Sequence, residues 1–166
     1  MIEGSCLCGG IRFEVNTEHV YLVNNCFCSR CRKASGSGYG TFVQVRAEGF
    51  RWVQGEDLVG IDQSTRESRR AFCTVCGSRA PQSQDFTLMV TVPAGSLGPD
   101  FDSPPQMNMF TASAPAWVQI DESIPTAPDQ GTPRFWKALI KQLGTNFPRR
   151  SLGETLWLKL KSALGA

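Results

Sequence analysis

The cysteines of this 166-residue chain constrain its fold more than any other feature, because they are grouped closely enough to bind metal. There are seven, in three groups: Cys6 with Cys8; Cys26 with Cys28 and Cys31; and Cys73 with Cys76. Gaps of one or two residues place neighbouring thiolates within reach of one small soft cation. Seven thiolates divide naturally into four and three. Four close a structural zinc site, whereas three leave a coordination position open for water or substrate.

A disulfide framework is the main alternative use of these cysteines. Such frameworks are typical of small secreted chains with an even number of cysteines. This chain is longer, its count is odd, and its start at Met1-Ile2-Glu3 lacks the basic and apolar stretches of a signal peptide. We therefore expect reduced thiols in the cytoplasm. Iron is an open alternative at Cys73 and Cys76, but paired cysteine groups favour tetrahedral zinc.

The groups can be paired in two ways. Joining the two Cys-x-x-Cys motifs as a zinc ribbon would leave Cys6, Cys8 and Cys26 without a site. An assignment that uses every thiol places four of them in one closed site, namely Cys6, Cys8, Cys73 and Cys76. A glycine follows each half of that site, at Gly9 and Gly77, where a tight turn can aim backbone N–H groups at the thiolates. The remaining three thiols then form a second site with an open face.

Charge and hydrophobic patterning divide the chain near residue 130. Residues 1–129 carry 10 basic and 14 acidic side chains, whereas residues 130–166 carry 7 and 1. We predict a zinc-binding β-domain over 1–129 and a basic amphipathic helical extension over 130–166. No apolar run approaches the length of a membrane span. We expect the extension to pack on the β-domain or on a second copy of the chain; a membrane surface, a nucleic acid or an acidic partner is the alternative.

Alternation of apolar and polar residues predicts a mainly β fold with antiparallel sheets. Ile11, Phe13 and Val15 alternate with Arg12 and Glu14. Further strands are predicted at 39–45, 50–53, 58–61, 70–73, 88–92 and 117–120. Aromatic residues such as Phe50, Trp52 and Trp117 are interpreted as core.

Two helices are predicted in the extension. Thr132 is positioned to cap the first, with Pro133 at its first turn, an apolar face from Phe135 to Leu143, and Gly144 as its end. The second begins with the capping-box pattern Ser151-Leu-Gly-Glu154.

The cysteine motifs and their flanking residues resemble the glutathione-dependent formaldehyde-activating enzyme family, which also includes centromere protein V. The resemblance covers about residues 1–125 and is carried by GSCLCGGIRF from Gly4, CFCSRCRKASGS from Cys26, GEDL from Gly55 and RAFCTVCGS from Arg70. It implies a β-tent fold and two zinc ions per chain. The implied structural zinc is bound by Cys6, Cys8, Cys73 and Cys76, and the implied catalytic-type zinc by Cys26, Cys28 and Cys31. Many relatives read Cys-His-Cys where this chain has Phe27 between two cysteines.

The resemblance also implies a function, that of a carbon–sulfur lyase-type enzyme acting on a thiol adduct such as S-hydroxymethylglutathione. Cys26, Cys28 and Cys31 are then the catalytic group. Arg30, Arg32 and Lys33 lie in or beside their loop and are predicted to bind glutathione carboxylates.

Two functions of other classes stay open. One is a non-catalytic zinc-stabilised binding module, and the other is a thiol-based sensor that releases zinc on oxidation. The lone histidine, His19, is interpreted as a surface residue in a turn, which leaves the chain without a histidine-based triad.

Overall fold

The computed structural model describes residues 1–65, 68–83 and 88–143, and within them the chain is mainly β. Its strands are β1 (Ile2–Ser5), β2 (Arg12–Val15), β3 (Val20–Cys26), β4 (Gly40–Arg46), β5 (Phe50–Gln54), β6 (Val59–Thr65), β7 (Ser68–Cys73), β8 (Gln82–Ser83), β9 (Met89–Pro93), β10 (Met107–Met109) and β11 (Thr126–Ala127). Its α-helices are α1 (Ser29–Ser35) and α2 (Pro133–Leu143). Short 3₁₀ turns connect several of the strands.

A three-stranded antiparallel sheet is formed by β1, β2 and β5, in that order. The predicted alternation in β2 is confirmed, since Phe13 and Val15 are buried while Arg12 is exposed. The Phe13 ring packs against Phe50 and Trp52, with centroids 5.6 and 6.2 Å away. These two aromatic residues are half-buried and pack against the core.

The largest sheet has the strand order β11-β10-β3-β4-β9-β8. Strands β3, β4, β9 and β8 pair antiparallel, as expected. One edge differs from the predicted antiparallel sheets, because β10 runs parallel to both β3 and β11. Strand β3 is therefore held on both sides, with Cys26 opposite Gly40 on β4 and opposite Met109 on β10.

The antiparallel hairpin β6–β7 carries Cys73 into the main core. That core combines apolar side chains from the three sheets with two cysteines: Ile11, Phe13, Val15, Val23, Val43, Val45, Ala71, Val90 and Val92, with Cys6 and Cys73. Because the two cysteines are part of the packing, their positions are fixed by burial as well as by local turns.

Helix α2 begins as predicted, with the Phe135 N–H donating to Thr132 Oγ1 at 3.2 Å. Its Leu139 side chain is buried in a second apolar cluster with Tyr21, Leu22 and Met107. This end of the extension therefore packs on the large sheet. The predicted second helix lies outside the described residues, and the division of the chain at residue 130 stays a prediction.

The strand predicted at 117–120 is wrong. Residues 116 and 117 form a turn, and the Val118 N–H donates to the Pro115 carbonyl at 3.0 Å. Proline fixes its own φ and favours such a turn over an extended segment. Trp117, interpreted from sequence as core, is 74% exposed. None of the described helices is long and apolar enough to cross a membrane.

Candidate metal centres

The first cluster consists of Cys6, Cys8, Cys73 and Cys76, which two separate turns bring together. Cys6 and Cys8 lie in the connection between β1 and β2, and Cys73 and Cys76 lie at and after the end of β7. Gly9 and Gly77 follow these pairs with φ of +73° and +76°, a conformation that other residues adopt at a cost. The glycine turns predicted from the sequence are therefore present. The Ile11 N–H donates to Cys6 Sγ at 3.2 Å.

The sulfur atoms of the first cluster have the spacing of a metal site. All four lie within 4.8 Å of one another, with 3.5 Å between Cys6 and Cys8 and 3.9 Å between Cys8 and Cys73. A tetrahedron with zinc–sulfur bonds of about 2.3 Å has sulfur atoms about 3.8 Å apart. Four thiols at this distance, none in a disulfide, fit one tetrahedral cation.

Ser78 links the two halves of the first cluster. Its Oγ accepts a hydrogen bond from the Leu7 N–H at 3.2 Å and lies 3.3 Å from Cys76 Sγ. Hydrogen bonds from the side chain and backbone of Ser78 lower the pKa of Cys76 to about 5. The thiolate form, which is the metal-binding form, is favoured at this position.

The second cluster consists of Cys26, Cys28 and Cys31, whose sulfur atoms also lie within 4.8 Å of one another. Cys26 is the buried last residue of β3, Cys28 caps the N-terminus of α1, and Cys31 lies in its first turn. The Cys31 N–H donates to Cys28 Sγ at 3.4 Å. All three ligands thus come from one strand-to-helix connection, as the sequence predicts, and Cys28 and Cys31 are half-buried.

The three thiols of the second cluster do not ionise independently. A hydrogen bond with Cys26 is the main reason that the pKa of Cys31 falls to about 6, and Arg79 and Arg70 lower it further by their positive charge. The same hydrogen bond, together with burial, raises the pKa of Cys26. Three thiolates this close repel one another, so a bound cation is what would allow all three to ionise together.

A hydrogen-bonded network of amide side chains fixes the strand that ends in Cys26. Asn25 Nδ2 donates to Asn108 Oδ1 at 3.1 Å, and Thr41 Oγ1 donates to Asn25 Oδ1 at 2.8 Å. Asn108 is fully buried and donates to the Asp121 carbonyl at 2.7 Å. Sequence reasoning missed this network. Of its residues only Thr41 lies in a predicted strand, since β3 and β10, which carry Asn25 and Asn108, were not predicted.

Phe27, which stands where many relatives have histidine, is part of the core. It is 1% exposed, and its ring packs on Tyr39 with centroids 4.9 Å apart. Its N–H donates to the Met109 carbonyl at 2.9 Å. The side chain between Cys26 and Cys28 therefore serves as apolar support for the loop.

The predicted substrate-binding residues occupy different environments. Arg32 is half-buried, and its Nε–H donates to the Phe27 carbonyl at 3.1 Å, which braces the loop of the second cluster. Arg30 and Lys33 are exposed on α1. Substrate binding by these three residues stays a prediction. His19 Nδ1 lies 3.1 Å from Glu48 Oε1 and belongs to neither cluster.

Sequence reasoning also missed Arg79. This residue follows the Cys73–Cys76 turn, and its guanidinium lies over the Phe42 ring at 4.6 Å from the centroid. It is half-buried and lines a cavity of about 940 Å³. The signal that could have found it is its position three residues after Cys76.

Comparisons with known proteins found a family profile, a curated relative and a solved structure that resemble this chain. The sequence profile of the family described as glutathione-dependent formaldehyde-activating enzyme matches residues 1–113. A protein of Halomonas elongata, whose name assigns it provisionally to these enzymes, is 34% identical over 132 residues, covering 73% of this chain and 82% of its own. A crystal structure of a Rhodobacter sphaeroides protein superposes with a TM-score of 0.48 at 25% identity, covering 62% of this chain and 97% of its own.

Proposed function

Since this chain belongs to the glutathione-dependent formaldehyde-activating enzyme family, we propose that it joins a small thiol such as glutathione to formaldehyde at the second cluster. The reverse step, cleavage of the adduct, makes it a carbon–sulfur lyase of the S-hydroxymethylglutathione synthase type. The proposal includes the family's β-tent fold and a cytoplasmic location, where glutathione is abundant and thiols stay reduced.

Zinc is the cation that we propose for both clusters. The first cluster would bind a structural ion through Cys6, Cys8, Cys73 and Cys76, and the second would bind another through Cys26, Cys28 and Cys31. The all-thiolate donor sets and the sulfur spacing support this choice. At the second cluster, zinc held by Cys26, Cys28 and Cys31 would favour the ionised form of a substrate thiol.

The proposed reaction balances without an oxidant or reductant. The substrate sulfur attacks the formaldehyde carbon, so a C–S bond forms while the C=O π bond breaks. The thiol proton is transferred to the former carbonyl oxygen, giving the S-hydroxymethyl adduct. Cys26, Cys28 and Cys31 orient the reacting centre, and the buried rings of Phe27 and Phe42 limit water on the inner side.

One observation carries the proposal, namely the number of ligands in the second cluster. Among the described residues, the group that could hold a metal ion there contains three thiols, whereas the first contains four. Three protein ligands leave one position of a tetrahedral ion free for substrate. A binding module would need a further ligand to close that position.

The test is a titration of cobalt-substituted protein with glutathione, followed by visible absorption. We expect the cobalt bands to change as the substrate thiol is added, and S-methylglutathione, which lacks a free thiol, to leave them unchanged. Loss of the response in the Cys28→Ser variant would assign it to the second cluster. An unchanged spectrum of the parent protein at millimolar glutathione would contradict the proposal and favour the binding module or sensor.

A further inference from the structure

Arg79 connects the two cysteine clusters. Its backbone is fixed by the first cluster, because the Cys73 N–H donates to the Ser78 carbonyl at 2.8 Å and the Ala80 N–H donates to the Ala71 carbonyl at 3.0 Å. Arg79 itself forms a β-bridge with Phe72. The turn that presents Cys76 to the first cluster therefore also sets the position of this arginine.

The side chain of Arg79 extends toward the second cluster. Its Nη1 lies 3.5 Å from the Oγ of Ser35, the last residue of α1, and its guanidinium interacts electrostatically with Cys31. The stacking on Phe42 holds the guanidinium plane in place. Arg79 is thus a cation oriented by several contacts, which distinguishes it from a freely rotating surface arginine.

Within the described part of the chain, Arg79 has no carboxylate partner. Carboxylates found there are paired with other side chains: Glu3 with Arg12, Glu14 with Arg51, and Glu48 with His19 and Arg46. The Nε–H of Arg79 is buried and makes no hydrogen bond to a described group. An oriented guanidinium with unused donors is suited to bind a planar anion such as a carboxylate.

The cavity of about 940 Å³ lies against this cation and is large enough for a substrate of peptide size. One wall comes from the first cluster, with Cys6, Leu7 and Ser78, and another from the end of α1, with Ser35. Arg12 also lines the cavity but is paired with Glu3 at 3.8 Å. The residues of the second cluster are not part of the wall, but Arg79, which is, interacts with Cys31.

From this arrangement we infer that the cavity is a carboxylate-binding subsite, in which Arg79 binds a carboxylate of the substrate whose thiol reacts at the second cluster. The inference rests on the proposed function for the identity of the thiol. The first cluster then also contributes to substrate selection, because its turn positions Arg79, which favours acidic thiols over neutral ones.

The experiment measures binding of S-methylglutathione by calorimetry to zinc-loaded protein. This probe has both carboxylates of glutathione but no free thiol, so it reports on the subsite alone. We expect Arg79→Gln to weaken binding about tenfold or more and Arg79→Lys to weaken it less, since lysine keeps the charge but not the planar fork. The matched control is Arg51→Gln, an identical change at an exposed residue of β5, which should bind as the parent does.

Zinc content and circular dichroism are measured on each variant. Weaker binding by Arg79→Gln with two zinc ions retained supports the subsite. Equal binding by this variant and the parent would overturn it. Loss of zinc from the second cluster would also overturn it, because Arg79 would then serve to compensate the thiolate charge of that cluster. The Arg79→Lys variant supplies the same comparison if Arg79→Gln does not fold.

The cobalt titration separates this inference from the proposed function. If the parent binds S-methylglutathione through Arg79 but its cobalt spectrum does not change when glutathione is added, the carboxylate-binding subsite is supported and the proposed thiol reaction is contradicted. If glutathione changes the cobalt spectrum while the parent does not bind S-methylglutathione, the thiol chemistry stands and the subsite is overturned.

Discussion

Both clusters consist of cysteine side chains, but the two differ in how far apart those cysteines lie in the chain. The first joins two turns whose cysteines, such as Cys8 and Cys73, are 65 residues apart in the chain, and it lies at the edge of the main core. The second takes its three ligands from the short connection between β3 and α1. One cluster therefore closes a long loop, while the other only shapes a local one.

The difference in loop length indicates which cluster the fold depends on. Closing a long loop costs chain entropy, which a bound ion would offset, so we expect folding and metal binding to be coupled at the first cluster. The second cluster starts from a strand already held by β4, β10 and the Asn25–Asn108 hydrogen bond. Its backbone is positioned without metal, and we expect its ligands to be free for chemistry.

The largest effect is expected from Cys73→Ser. Cys73 is fully buried, and its loss would remove one of four ligands from the proposed zinc site. In zinc-finger peptides a structural zinc ion contributes about 10 kcal/mol or more. Because a domain of this size has about 5–15 kcal/mol of stability in total, we expect this variant to be unfolded. Circular dichroism and zinc content measure the result. A folded Cys73→Ser protein with one zinc ion would contradict the conclusion that the fold depends on the first cluster.

A smaller effect is expected from Cys28→Ser, the same exchange in the second cluster. The fold should persist, because strand pairing and the amide network hold β3, while the zinc content should fall from two ions to one. The adduct-forming activity should be lost with that ion. Thermal unfolding and metal analysis test this, and unfolding of Cys28→Ser comparable to that of Cys73→Ser would show that both clusters are structural.

The cysteine grouping was predictable because ligand spacing is a local property of sequence, and a count of seven limits the ways to share them. The strands at 39–45 and 50–53 were predictable for a similar reason, since burial on one face leaves a period of two. Helix α2 followed from its cap at Thr132. These features depend on residues close together in the chain.

The parts that sequence did not predict depend on long-range packing. Arg79 is informative only once β7 brings it beside Ser35 and Phe42, which lie more than 30 residues earlier. The parallel pairing of β10 depends on a strand of three residues, too short to show a period. Trp117 was placed in the core by residue type alone, whereas a turn after Pro115 exposes it.

The smallest effect is expected from Phe27→His, which introduces the residue that many relatives carry between the first two cysteines of the second cluster. Phe27 is buried against Tyr39, so an imidazole there loses apolar contacts and places a polar ring in the core. We expect a loss of about 2 kcal/mol in the free energy of unfolding, with zinc content unchanged. Urea denaturation measures the first quantity, and Phe27→Leu is the control for lost volume without added polarity.

Cobalt spectra of Phe27→His sharpen the comparison between the clusters. If the loop is held as rigidly as its contacts with Met109 and Arg32 indicate, the new imidazole stays in the core and the cobalt bands match those of the parent. A shift of the bands to those of a site with a nitrogen ligand would mean that the loop turns to present residue 27 to the metal. The second cluster would then owe its shape to the ion it binds, as we propose for the first cluster.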